Sequence, residues 1–264
     1  IFLTAIVVAA VTAFIKFKST SRRRYLVAAS LFTGLAVSTK WTGVYLLPIF
    51  AVIELFSLRV SNLPRYILAF LVIPAAIYVL SYSQFWLQGH PVSQFVELHR
   101  QIWLYQIHLT ATHPYQSSAL SWPLNLRPVW YYVDYQDTTV ANIYALGSPL
   151  IFWAGLLAVL YTIFLILLRR ISLRSPHLYL VSCYLLFFIP WVFSPRIMFL
   201  YHYLPATPFM IILLAWALTR ISSKFAIGYT LFAIGFFIFF YPLWTALPIP
   251  KTWVHLFFWL PSWR

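Results

Sequence analysis

Apolar residues are gathered into eight runs: Ile1–Ile15, Tyr25–Thr39, Thr42–Leu58, Tyr66–Tyr82, Pro149–Leu168, Leu178–Phe193, Tyr203–Thr219 and Phe225–Tyr241. A helix that spans a bilayer takes about 20 predominantly apolar residues, with a range of about 17–25. The pattern therefore predicts an all-α polytopic membrane protein with about eight spans. Short basic stretches separate the runs: Lys16 to Arg24, Arg59 to Arg65, Arg169 to Arg174 and Arg220 to Lys224. No internal repeat is evident. Tyr25–Leu58 is the ambiguous stretch, because one helix of that length is too long for an ordinary span. Two spans turning at Ser38-Thr39-Lys40-Trp41 place both flanking basic clusters on the same side, as the positive-inside rule prefers.

With that turn, 12 of the 18 Lys and Arg residues fall inside. Lys40, Arg100, Arg127, Arg196, Lys251 and Arg264 fall outside or at the outer membrane edge, together with Glu97, Asp134 and Asp137. The predicted division is then 1–82 as spans of an N-terminal module, 83–148 as an extracytoplasmic loop, 149–242 as a C-terminal four-span module and 243–264 as an extracytoplasmic tail. Within the loop, Gln94–Leu109 reads as an interfacial amphipathic helix. At 100° per residue Tyr105, Leu98, Leu109, Ile102, Phe95, Trp103, Val96 and Ile107 share one broad face, and Gln94, Glu97, Arg100, Gln101 and His108 share the other. His99 and Gln106 fall in the apolar arc, where hydrogen bonding within the protein is the expectation.

Composition supports a lipid solvent. Hydrophobic residues make up 62% and charged residues 8%, against roughly 25% charged in soluble domains. These values exclude a soluble globular domain, a disordered tail and a disulfide scaffold. The formal net charge of +14 suits anionic lipid headgroups and inside loops, and no nucleic-acid partner is expected. Cys183 is the only cysteine, so no intrachain disulfide forms. The chain starts at Ile1 in mid-hydrophobic run, with its basic cluster after that run, which is wrong for a signal peptide. It reads as a fragment whose N-terminal part is missing.

The segment from Thr112 to Tyr132 is rich in Pro, Trp and Tyr and has no helical period. Irregular backbone near a membrane is buried in protein or lines a wet cavity. Aromatic residues alternating with His113, Ser117 and Arg127 suit sugar recognition, by ring stacking and hydroxyl hydrogen bonds, better than a simple aromatic belt. There is no Gly-rich phosphate loop, HExxH zinc motif or Ser-His-Asp spacing, and no metal site is expected.

Four stretches occur in order: Gly34-Leu35-Ala36-Val37-Ser38-Thr39-Lys40-Trp41-Thr42-Gly43; His113-Pro114-Tyr115-Gln116-Ser117 with Trp122-Pro123-Leu124 and Arg127-Pro128; Asn142-Ile143-Tyr144-Ala145-Leu146-Gly147-Ser148-Pro149-Leu150; and Arg196-Ile197-Met198-Phe199-Leu200-Tyr201-His202-Tyr203-Leu204-Pro205. Together they resemble the protein O-mannosyltransferase family, bacterial type, over nearly the whole chain. The resemblance implies a GT-C-like transmembrane bundle, of which this chain would be the C-terminal portion. It also implies inverting transfer of mannose from a polyprenyl (dolichyl-type) phosphate to Ser or Thr hydroxyls of exported proteins. No cofactor is certain beyond that lipid-linked donor. The implied setting is a bacterial plasma membrane with an extracytoplasmic active site, and the secretion translocon is a candidate partner. The Gln84–Ser148 loop is too short for the β-trefoil domain of eukaryotic members. The family's acidic pair, with the presumed base, would lie upstream of Ile1.

Site residues follow from both lines of reading. Lys40 and Arg196 stand at outer ends of spans, where a cation meets a donor phosphate, although such side chains also snorkel simply to anchor helices. Tyr201 and His202 share a short turn with Arg196. His113, Tyr115, Ser117, Trp122 and Arg127 are assigned to acceptor or sugar binding. Glu97, Asp134, Asp137 and Glu54 are not assigned as the base. Asp134 and Asp137 are expected to serve loop backbone, and Glu54 is close enough in sequence to pair with Arg59. The alternatives are a GT-C transferase moving another sugar, such as aminoarabinose, to lipid A, and a transporter subunit. Transporters usually carry repeats and midplane polar residues, which this chain lacks.

Overall fold

The structure is a computed structural model that describes residues 1–54, 62–172 and 175–263. Each of the eight apolar runs coincides with helix, as far as it is described. The helices are α1 (Phe2–Thr20), α2 (Arg23–Thr39), α3 (Leu46–Glu54, entered through a 3-10 turn at Trp41–Tyr45), α4 (Leu63–Ile67) and α5 (Ile73–Leu80). A π-helical stretch, Leu68–Val72, joins α4 to α5. Then come α6 (Ser83–Leu87), α7 (Val92–His108), α8 (Pro149–Leu167), α9 (Pro176–Val192), α10 (Thr207–Ile221) and α11 (Ser223–Thr245). Among the described residues, four helices are long and apolar enough to cross a membrane: Phe2–Thr20, Leu63–Leu80, Pro149–Leu167 and Ser223–Thr245. Trp41–Glu54, Pro176–Val192 and Thr207–Ile221 are shorter apolar helices.

The chain forms two compact units. The first comprises Ile1–Leu109 with Leu185–Phe187. Here α2 turns sharply into α3 where Lys40 caps α2, its N–H donating to the Ala36 carbonyl at 3.0 Å. Gly43 makes the turn possible, since a Cβ there would sit 2.4 Å from the Ala36 backbone. The turn expected at Ser38-Thr39-Lys40-Trp41 is thus present. Glu54, buried at the end of α3, accepts from Lys18 Nζ at 2.9 Å and from the Tyr66 hydroxyl at 2.8 Å. A carboxylate buried in this way needs such partners. Arg59, its expected partner, lies outside the described residues, as do Leu55–Leu58 of the third run, Arg174 and Arg264. Helix α7 forms close to where the amphipathic pattern put it. Phe95, Leu98, His99 and Ile102 are half-buried, while Val92, Val96, Trp103 and Ile107 are exposed.

The second unit comprises Thr110–Tyr184 with Phe188–Arg264. α8 and α10 approach closely where Gly155 meets Met210, small residues being the usual means of close helix approach in lipid. The all-helical expectation needs one correction. Val129–Tyr135 (β1) and Thr139–Ala145 (β2) form an antiparallel hairpin with a bulge at Trp130/Tyr132, and Ile249–Pro250 (β3) adds a short third strand to β2. Both long strands are rich in Val, Ile, Thr, Trp and Tyr, which suit a pleated, half-buried surface. The hairpin and the chain end share a core of Val140, Tyr144, Leu146, Phe240, Ile249 and Trp263, among others.

Candidate functional site

The second unit brings together eight of the nine residues singled out from sequence. Residues His113–Ser117 form a turn, with the Gln116 N–H donating to the His113 carbonyl at 3.0 Å. The Ser117 N–H donates to the Met198 carbonyl at 2.9 Å, which ties this turn to the segment leaving α9. His113 Nδ1 accepts from the Tyr115 N–H at 3.1 Å. Its ring proton therefore sits on Nε2 in the neutral form. The His113 ring stands edge-on to Phe199 at 5.3 Å, and Phe199 stacks on Tyr201 at 5.3 Å. Tyr201 in turn stacks on His202 at 4.6 Å. His113 and Tyr201 are exposed.

Beneath these rings lies support. Trp122 is fully buried, stacks on His202 at 6.1 Å and donates from its indole to Ser117 Oγ at 3.0 Å. Trp191 closes on His202 at 4.5 Å. His202 is itself buried, its Nδ1 within 3.3 Å of the Phe199 N–H and 3.1 Å of the Phe199 carbonyl. Arg127 donates to the carbonyls of Ser262 at 2.7 Å and Pro114 at 2.9 Å, and its guanidinium lies 5.3 Å from the Tyr115 ring centre. Trp122 and Arg127, expected to contact the sugar or acceptor, are thus engaged with the protein. Trp122 has no open ring face, and Arg127 fastens the turn to the chain end.

Arg196 differs from all of these. It sits at a bend in the connection between α9 and the 3-10 turn Leu200–Tyr203, half-buried. Its Nε is buried and has no hydrogen-bond partner among the described residues. Such a buried donor calls for an explanation. Burial raises the Tyr201 hydroxyl above its usual pKa, and the positive charge of Arg196 opposes that rise. Among the described residues no group of three or more His, Cys, Asp or Glu could hold a metal. The side chain of Gln136 donates to Asp134, and the Asp137 carbonyl accepts from Lys251 Nζ at 3.1 Å.

Lys40 belongs to the first unit and is exposed at the end of α2. Its neighbour Trp41 donates to the Tyr78 hydroxyl at 2.8 Å, and Tyr78 lies 2.6 Å from His99 Nε2. His99, placed by periodicity on the apolar arc of α7, is thus a hydrogen-bonding residue within the protein.

Sequence reasoning missed Asn125. It adopts φ 58°, a left-handed conformation that Asn tolerates better than most residues. Fully buried, it exchanges two hydrogen bonds with the Gly147 backbone, at 2.7 and 3.2 Å. Trp263 donates to the Asn125 carbonyl at 2.7 Å, and Ser262 Oγ donates to the Leu126 carbonyl. An Asn followed by Leu-Arg-Pro carries no helical or strand signal, and nothing local in the sequence encodes its pairing with Gly147.

The model of the C-terminal four-transmembrane region of protein O-mannosyltransferases matches residues 91–263. The chain belongs to the protein O-mannosyltransferase family. Its curated relatives include the polyprenol-phosphate-mannose–protein mannosyltransferase of Mycolicibacterium smegmatis, 25% identical over 89% of this chain and 57% of that protein. The enzyme of the same name from Mycobacterium tuberculosis is 25% identical over 89% and 56%. The dolichyl-phosphate-mannose–protein mannosyltransferase 1 of Saccharomyces cerevisiae is 29% identical over 65% and 24%. This chain thus spans a little over half the length of its bacterial relatives. Among solved structures, the S. cerevisiae protein O-mannosyltransferase Pmt1-Pmt2 complex bound to the sugar donor aligns with a TM-score of 0.57 and 25% identity, over 66% of this chain and 27% of that one. The GT-C-like helical bundle expected from sequence is therefore the fold of this mannosyltransferase-family chain, with the hairpin built onto it.

Proposed function

We propose that the chain carries the lipid-phosphate side of a protein O-mannosyltransferase site. The reaction moves mannose from a polyprenyl phosphate to a Ser or Thr hydroxyl of an exported protein. The acceptor oxygen attacks the sugar carbon on the face opposite the phosphate, a base takes the hydroxyl proton, and the phosphate leaves with the bonding pair. In this reading Arg196 holds the leaving phosphate, with Tyr201 and His202 beside it. His113, Tyr115 and Ser117 offer the acceptor or sugar contacts, while Trp122 and Arg127 hold that surface in shape. None of Glu54, Glu97, Asp134 or Asp137 is assigned as the base. The setting is a bacterial plasma membrane with the site on its extracytoplasmic side, fed with acceptors by the secretion machinery.

The observation that carries the reading is the buried Nε of Arg196, without a hydrogen-bond partner among the described residues, in the connection that leads into the stacked rings of Phe199, Tyr201 and His202. A planar, permanently charged fork suits phosphate oxygens, and charge that develops on a leaving group is best met by a donor already in place. The test is transfer from polyprenyl phosphomannose to a Ser/Thr peptide by membranes holding the full-length protein. Arg196→Ala is expected to lose at least roughly ten- to hundred-fold in turnover, since a hydrogen bond to a charged group is worth about 1.5–3 kcal/mol. Arg196→Lys should recover part of that loss. Normal turnover by Arg196→Ala at normal expression would make Arg196 an anchor only.

A further inference from the structure

Within the second unit, α8, α10 and α11 border a groove of about 490 Å³, a size typical of small-molecule pockets. Ala154 and Ala158 of α8, Ala217 and Leu218 of α10 and Phe225 of α11 give it apolar walls. The alanines make the room, because larger side chains at those positions would close it. Arg220 lines the same groove, and its guanidinium lies 5.7 Å from the Trp216 ring centre. The same indole also meets a histidine. His177 packs on Trp216 at 4.3 Å, and its Nδ1 is buried without a hydrogen-bond partner among the described residues.

Charge at this end of the helices is of one sign. Lys224 follows Arg220 across the short turn at Ser222, and Arg169 and Arg170 follow α8. From Thr138 to Arg264 the sequence contains no Asp or Glu. The counter-charge for this end must come from outside the module. Basic residues at helix ends beside a membrane attract anionic headgroups, and basic pockets between spans bind them individually.

We infer that the groove between α8, α10 and α11 binds an anionic phospholipid, with an acyl chain against Ala154, Ala158, Ala217 and Leu218 and its phosphate at Arg220 and Lys224. A free anion would leave the apolar walls empty. A zwitterionic lipid would bring a second cation into a region that already has an excess of them. The site is separate from the connection that holds Arg196, and it does not depend on which reaction that connection serves.

The test uses the purified full-length protein in a neutral detergent, titrated with dioleoyl phosphatidylglycerol or dioleoyl phosphatidylcholine and read by native mass spectrometry. Phosphatidylglycerol should be retained on the monomer at least roughly ten-fold more tightly than phosphatidylcholine. Arg220→Gln combined with Lys224→Gln should abolish that preference. Both residues are exposed, so the fold should survive the change. Ala217→Phe, which fills the groove and keeps the cations, should lose the tight phosphatidylglycerol. Dihexanoyl phosphatidylglycerol, with the same headgroup on short chains, should bind more weakly than the dioleoyl form. Equal retention of the two dioleoyl lipids, or an unchanged preference in the charge variant, would overturn the inference. So would a lipid-free dimer that Ala217→Phe dissociates, because a second copy would then occupy the groove.

Discussion

In the first unit, Trp41, Tyr78, Tyr82 and His99 form a cluster whose hydrogen bonds can be assigned proton by proton. His99 Nδ1 donates to the Phe95 carbonyl at 2.8 Å, which leaves Nε2 as the acceptor. The Tyr78 hydroxyl then donates to Nε2 at 2.6 Å and receives Trp41 at 2.8 Å and Tyr82 at 3.2 Å. Tyr78 has nothing left to offer a ligand. In the second unit, His113, Phe199, Tyr201 and His202 stack with comparable density, yet Arg196 Nε beside them has no partner among the described residues. The two clusters have similar composition, and His, Tyr and Trp alone do not tell them apart. What separates a scaffold from a binding surface is whether the polar atoms are used up, because a buried donor without a partner costs free energy unless something binds there.

The sharpest way to test that distinction is to remove the support rather than the charge. Trp122 is fully buried between His202, Trp191 and Tyr203. Trp122→Ala should destabilise the second unit by about 3–5 kcal/mol, the usual range for truncating a buried large aromatic. The thermal midpoint of unfolding in detergent should fall accordingly, whereas Arg196→Ala should leave it in place. A large fall for both variants would mean that Arg196 is part of the scaffold too.

Asn125→Ala should cost somewhat less, on the order of 2–4 kcal/mol, from two lost hydrogen bonds and a left-handed backbone that Ala resists. Asn125→Gly should recover only the backbone part. The same thermal measurement orders the three proteins, and an Ala variant as stable as the Gly variant would remove the backbone share of that account.

Much of this was legible in the residues. The spacing of Ser38–Trp41 between two apolar runs announced the turn after α2, and the amphipathic period announced α7. The hairpin was missed because Val129–Tyr135 is dominated by aromatics, and near a membrane a run of Trp and Tyr reads equally well as an interfacial belt. Trp122 and Arg127 looked like ligand contacts for a related reason. Sequence reports that an aromatic or guanidinium group is present, but only packing reports that its ring is covered or that its donors end on the carbonyls of Pro114 and Ser262. Those carbonyls are distant in sequence, and no local pattern encodes the encounter. Arg196 is the opposite case. Its flanks, Pro195 and Ile197, place a charge in the connection after an apolar run, and that position was already unusual before the fold showed its Nε without a partner among the described residues.

The smallest expected effect lies in the first unit and tests the comparison from its other side. Tyr78→Phe removes one hydroxyl from a half-buried site and leaves the Trp41 N–H and His99 Nε2 without that partner. Half-burial lets water reach part of the gap, so the loss should be about 1–2 kcal/mol rather than the full penalty for an orphaned buried pair. His99 would keep its bond to the Phe95 carbonyl and its stacking on Trp41, with ring centres 5.9 Å apart, so α7 should stay docked against the same rings. Transfer of mannose per folded molecule should then be essentially unchanged, because every polar atom lost belonged to a closed set. Thermal unfolding and the peptide transfer assay, run on the same preparation, separate the two readouts. A collapse of turnover at nearly normal stability would show that the Tyr78 hydroxyl acts on substrate, and the first cluster would then be more than a scaffold.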